Sequence, residues 1–468
     1  MLLLTIYIVS SLLISRSILK ANVFNIASLS LITYWAAYPL ERKTINGDMF
    51  QIINGIKDIG FNLYAAFGLS FLIGTFFISK IKIKKIVLYP KINSKNNLFF
   101  LSTILAILGL ICFSYTYKFN IYEYLMAINT SRGERLALLS KASNALPYSI
   151  FFIPSITTLL ISIKKFRIKK FSRIYFLSIL IILINSPILF SYFIESDRSA
   201  IIKFFAVIFF TLILSKSSFE KMNKRSYLVE NFQINKNVLF NRIKILIIMF
   251  LCFILLTFIG LGRDIRWKNS SMIFDKFTNL IKSKKLPTAE FVGVNYTIDF
   301  ALARDYLSIQ KTKKIFTWDK FIFYPLPTYV YKGLFNEKKP INIGDAIGLE
   351  TKNYIYGIKD SRKLGFALSP IAEGLINFGK IGVIFTGFIY GIAVGFLQIL
   401  YNKISLDEIN LSDIIVINTL GIIPLIMRAG SAGIYNWIFS TSFVMIFSLL
   451  LIEVFQTKKL KGIFRIKK

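Results

Sequence analysis

"IYFLSILIILINSPILFSYFI" (174–194) and "SAIIKFFAVIFFTLILS" (199–215) are two apolar runs separated only by "ESDR" (195–198). A helix of about 20 apolar residues spans the hydrocarbon core of a bilayer, and a short polar turn is enough to send the chain back. The stretch therefore reads as a transmembrane hairpin. Similar runs recur near 1–15, 22–40, 60–79, 97–117, 145–163, 243–262, 379–400, 411–427 and 434–456, which brings the expected spans to eleven. Composition agrees: of 468 residues, 55% are hydrophobic and 16% aromatic, and the mean hydropathy is +0.60. The expected fold class is an all-α polytopic integral membrane protein. The opening "MLLLTIYIVSSLLIS" lacks a basic n-region and a small-residue cleavage site, so it reads as a retained span and not as a signal peptide.

A net charge of +34 would suggest nucleic acid in a soluble protein. Here the cations sit in the gaps between apolar runs, where membrane topology accounts for them and no nucleic-acid partner is expected. The gap 80–96 has six Lys, 164–173 has six Lys/Arg, 216–244 has seven against two acids, and the tail after 457 has six. With eleven spans all four fall on one side, the cytoplasm. The C-terminus is then inside and the N-terminus outside. The expected divisions are 1–262 with eight spans, a 116-residue periplasmic segment at 263–378 containing short helices, and 379–468 with three spans and a basic cytoplasmic tail. No internal repeat and no Pro/Gly/Ser linker divides the chain further.

Two cysteines, Cys112 and Cys252, lie in separate apolar runs, which indicates neither a disulfide framework nor a metal site. The chain has no His, which removes His-based acyl transfer and most zinc chemistry. It also has no D-x-D pair for a divalent metal and no Walker glycine loop, so no cofactor is expected.

Lys dominates the cytoplasmic gaps, whereas Arg marks the external helix ends. Arg132 and Arg135 stand in "TSRGERLALL", Arg198 in "ESDR", Arg263 and Arg266 in "GLGRDIRW", and Arg428 in "IMRAGS". The guanidinium is a planar fork of donors that grips phosphate at two points. Arginines at the mouth of a helix bundle therefore make a candidate site for a phosphorylated or pyrophosphorylated ligand; the ordinary alternative for each is a snorkelling interfacial residue. Carboxylates share this face: Glu195 and Asp197 in the hairpin, Asp264 after Arg263, and Glu373 in "ALSPIAEGLINFGKIGV", beside Gly374, Asn377 and Gly379. Glu373 is a candidate buried base or binding group, or else a helix-start residue.

The run "SPIAEGLINFGKIGVIFTGFIYGI" (369–392), together with "TSRGE", "SDR" and "GRD" at external positions, resembles Wzy-type O-antigen and oligosaccharide repeat-unit polymerases. The likeness in layout covers nearly the whole chain, and the matched residues form four short patches. One departure is the absence of the His that related O-antigen ligases carry in their external loop. The resemblance implies a GT-C-like membrane glycosyltransferase of the inner membrane, active at its periplasmic face. Its substrates would be undecaprenyl-pyrophosphate-linked oligosaccharides, and its partners a chain-length regulator and a flippase. Arg132, Arg135, Arg198, Arg263, Arg266 and Arg428 would hold the pyrophosphate without a metal. Glu373, Asp197 and Glu195 are the candidates to accept the acceptor hydroxyl's proton. Trp318, Tyr324, Tyr329, Tyr354 and Tyr356 are candidates to stack on sugar faces, against the alternative of an interfacial aromatic belt. An O-antigen ligase and a lipid-linked oligosaccharide flippase are the competing expectations.

Overall fold

The structure, a computed structural model, describes residues 2–18, 21–41, 56–81, 95–120, 122, 124, 148–166, 172–194, 198–214, 294–295, 297–299, 301–302, 328–337 and 368–456. Every regular element among them is helical. They are α1 (Leu2–Ser17), α2 (Asn22–Glu41), α3 (Ile56–Ser79), α4 (Lys95–Thr116), α5 (Ser149–Phe166), α6 (Arg173–Ile194), α7 (Arg198–Ile213), α8 (Thr328–Phe335), α9 (Pro370–Asn402), α10 (Leu411–Thr419), a 3-10 helix (Leu420–Leu425) and α11 (Ser431–Gln456). Helices thus occupy ten of the eleven stretches expected to span, and the stretch 243–262 lies outside the described residues. Among the described residues, six helices are long and apolar enough to cross a membrane, and α1, α7 and the 411–425 stretch are shorter apolar helices. The chain is an α-helical membrane protein. In α6 the side chains of Phe176, Leu180, Leu183 and Phe190 stand exposed, as hydrocarbon-facing residues do.

The chain forms two compact units. One comprises Met1–Ile86, Thr288–Lys403 and Thr419–Ser442, and the other Val87–Pro287, Ile404–Asn418 and Phe443–Lys468. In the second unit, Phe99 and Ala106 of α4, Leu159 of α5 and Ile181 of α6 make an apolar core. Lipid cannot satisfy polar groups, so they bond between helices. Ser102 and Ser155 each donate a hydroxyl to the other's carbonyl, at 2.8 and 2.9 Å. The amide of Asn185 donates to Ser155 Oγ at 3.1 Å, and Thr157 donates to Asn418 at 2.8 Å.

In the first unit α9 packs along α3 on a glycine seam. A Cβ at Gly387 would overlap Ser70 Oγ, one at Gly391 would overlap Phe71 O, one at Gly395 would overlap Ile78, and one at Gly74 of α3 would overlap Phe388 O. Spacing of four residues puts Gly387, Gly391 and Gly395 on one face, so the backbones approach closely enough for Thr75 Oγ1 to donate to Gly391 O at 3.1 Å.

Two helices depart from expectation. α9 begins at Pro370, nine residues before the expected span at 379–400, because Ser369 caps it with a side-chain oxygen accepting Ile371 N–H at 3.2 Å and Pro370 is preset for a first helical position. The helix then breaks at Phe378 and Gly379, where Gly379 has φ +64° and ψ −154°, a region open essentially to glycine alone. Residues eight apart in a straight helix are separated by about 12 Å along the axis. Yet a Cβ at Gly374 would come within 2.7 Å of Gly382 O, so the first two turns of α9 fold back on the rest. The expected span at 411–427 is likewise divided: nine α-helical residues give way to a 3-10 helix containing Pro424, and then to a turn.

Candidate active site

Residues 368–375 at the start of α9 are buried, Glu373 among them at 1% exposure. Its carboxylate meets the turn 426–430 and the first residue of α11. Oε2 accepts the Ser431 backbone N–H at 2.8 Å, and Oε1 accepts the Ser431 hydroxyl. A helix leaves its first N–H groups without internal partners and carries partial positive charge at that end, so a carboxylate placed there is stabilised on both counts. Gly430 packs beside this contact: a Cβ there would lie 2.8 Å from Leu368 Cδ2 and 3.4 Å from Glu373 Oε2, an ordinary contact distance. On the other side of the turn the Tyr390 hydroxyl donates to Ala429 O at 3.4 Å. Arg428 stands in this turn, half-buried, with its N–H bonded to Leu425 O at 2.8 Å.

A second set of bonds draws residues from the expected periplasmic segment into the same unit. Val294, Asn295, Thr297, Ile298, Asp299, Ala301 and Leu302 are all buried. Asn295 and Asp299, four apart on one helical face, meet phenols from two helices: Tyr64 of α3 donates to Asn295 Oδ1 and Tyr38 of α2 to Asp299 Oδ1, each at 2.6 Å. Thr297 Oγ1 accepts the N–H of Ser369, the cap of α9, at 3.2 Å. The expected external segment therefore supplies a buried polar stretch held by α2, α3 and the α9 cap.

Of the residues singled out in the sequence, Glu373 and Arg428 are thus brought to one place. Asn377, expected beside the Glu373 carboxylate, instead donates to the Glu373 main-chain oxygen at 2.9 Å, because four residues along a helix the nearest acceptor is that carbonyl. Arg198 is the first residue of α7, where only its backbone is described. Glu195, Asp197, Arg132, Arg135, Arg263, Arg266, Asp264, Trp318, Tyr324, Tyr354 and Tyr356 lie outside the described residues, and for Tyr329 only the backbone in α8 is described. Sequence reasoning missed Ser431, Tyr390, Tyr38, Tyr64, Asn295 and Asp299. Only Ser431 had a local signal, as a good helix-start residue following the turn glycine in "RAGSAG". The glycine spacing "GFIYGIAVG" (387–395) was a legible mark of close helix packing. No family model, no curated protein and no solved structure matches the chain.

Proposed function

We propose that the chain is a Wzy-type polymerase of O-antigen or capsule polysaccharide. It would be a metal-independent glycosyltransferase, with about eleven spans in a GT-C-like arrangement, working at the periplasmic face of the inner membrane. The observation that carries the reading is the buried Glu373 carboxylate bonded, across 58 residues of sequence, to the helix start that follows Arg428. A carboxylate inside an apolar bundle is costly unless bonded, and intramembrane ionisable groups are retained where a site needs them. An arginine on a turn fixed in this way suits a pyrophosphate.

In the proposed reaction a hydroxyl at the non-reducing end of an incoming lipid-linked repeat attacks the anomeric carbon of the donor glycan. The new glycosidic C–O bond forms as the bond to the pyrophosphate oxygen breaks, and that oxygen keeps the electron pair. The hydroxyl proton passes to a carboxylate and from there to water. Charge grows on the departing lipid pyrophosphate, and guanidinium groups already in position stabilise it more in the transition state than in the ground state.

The test is a reconstitution. The purified full chain in nanodiscs is given undecaprenyl-pyrophosphate-linked repeat units, isolated from a strain lacking this chain, in excess chelator. The expected product is a ladder of lipid-linked polymer. Transfer only to an added lipid A core would replace the reading with a ligase, and no transfer to either acceptor would reject it.

A further inference from the structure

We infer that Glu373, with Ser431 and Tyr390, positions Arg428 and does not itself take the acceptor's proton; this rests on the reading of Arg428 as a contact of the donor pyrophosphate. A general base needs a lone pair directed at the hydroxyl that it deprotonates. Both Glu373 oxygens accept from Ser431, and at 1% exposure the side chain is turned to the start of α11 and away from solvent. What the carboxylate does hold is the backbone that follows Arg428.

The three residues after Arg428 are each fixed from a different direction. The Ala429 carbonyl accepts from Tyr390, and its N–H donates to Leu425 O at 2.9 Å. Gly430 packs against Leu368 and Glu373, and a Cβ there would have to displace the Leu368 Cδ2 methyl. Ser431 is gripped at N–H and hydroxyl by Glu373. Before it, the Arg428 N–H is tied to Leu425 O at 2.8 Å. The Arg428 Cα is therefore set by contacts on both sides, and its guanidinium leaves from a fixed base. Two-point recognition of phosphate depends on the plane and direction of the fork, so a shift of the turn costs more than the loss of one ordinary contact. Glu373 also occupies the Ser431 N–H at the start of α11.

The experiment is a double-mutant cycle on the full chain in nanodiscs, with undecaprenyl pyrophosphate as the probe and undecaprenyl phosphate as the control. Wild type should prefer the pyrophosphate. Glu373→Gln should weaken its binding about tenfold, the scale of a lost charge-assisted bond. Arg428→Ala should weaken it at least as much, and the double variant no further than Arg428→Ala alone, because Glu373 acts through the arginine. Polymerisation at saturating donor should fall in Glu373→Gln and fall no further in the double variant than in Arg428→Ala, whereas loss of a general base would add on the order of 100- to 10,000-fold to the loss from Arg428→Ala. Losses that multiply in the double variant, or pyrophosphate binding that Glu373→Gln leaves unchanged, would overturn the positioning role alone. Equal binding of phosphate and pyrophosphate by wild type would overturn the reading of Arg428 and the positioning role with it. Should Glu373→Gln fail to fold, Ser431→Ala, which keeps the N–H bond and removes the hydroxyl, takes its place in the same cycle.

Discussion

The phenol of Tyr38 reaches Asp299 because Gly60 has no side chain. The hydroxyl donates to Asp299 Oδ1 at 2.6 Å, and a Cβ at Gly60 would overlap that same hydroxyl. Glycine within a helix costs roughly 0.5–1 kcal/mol relative to alanine, so its place in α3 is explained by what it admits.

Gly60→Ala and Tyr38→Phe are accordingly expected to break one link by two routes. Each removes the Tyr38 donor from a buried carboxylate, at a cost of about 1–3 kcal/mol. Thermal unfolding of the full chain in detergent should show both variants destabilised, and the pair together little worse than the worse single. Full additivity would mean that the glycine and the phenol serve different contacts.

The glycine seam between α9 and α3 predicts a contrast between two glycines. Gly391→Ala drives a methyl into the Phe71 carbonyl and should lower stability by roughly 1–3 kcal/mol, as overpacking does. Gly333→Ala in α8 meets nothing within 4 Å and should be neutral or stabilising by up to about 1 kcal/mol on helix propensity. Melting temperatures of the two variants, purified side by side, decide it.

The charge bias predicts that 80–96, 164–173, 216–242 and the C-terminus are cytoplasmic and that 263–378 is periplasmic. In a cysteine-free background, a thiol at position 339 should react with an impermeant reagent in whole cells, and one at Lys91 should not. The opposite pattern would invert the topology.

Arg198, at the start of α7, is expected to need its guanidinium. Arg198→Lys keeps the charge and loses the planar fork, which should cost roughly 1.5–3 kcal/mol, or about ten- to a hundredfold in polymerisation rate. The readout is the glycan ladder from strains complemented at equal membrane abundance, with Lys203→Ala as the nearby control. A full ladder from Arg198→Ala would leave "ESDR" a polar turn.

Helix positions were legible because they depend on local composition: an apolar run of sufficient length becomes a helix in lipid whatever its neighbours, since only a helix satisfies its own backbone. For the same reason the sequence by itself determined the membrane class, ten helical stretches and the candidacy of Glu373 and Arg428. Only the tertiary structure decided what those residues meet. The early start of α9 and its fold-back at Gly379 come from local residues, the Ser369 cap, Pro370 and the glycine itself, but that Glu373 holds Ser431 and that Tyr38 holds Asp299 depend on contacts between segments far apart in the chain. Such contacts leave no periodicity in either partner. A buried carboxylate looks the same in sequence whether it serves a proton transfer or a helix end, and the difference lies in which donor the fold brings to it.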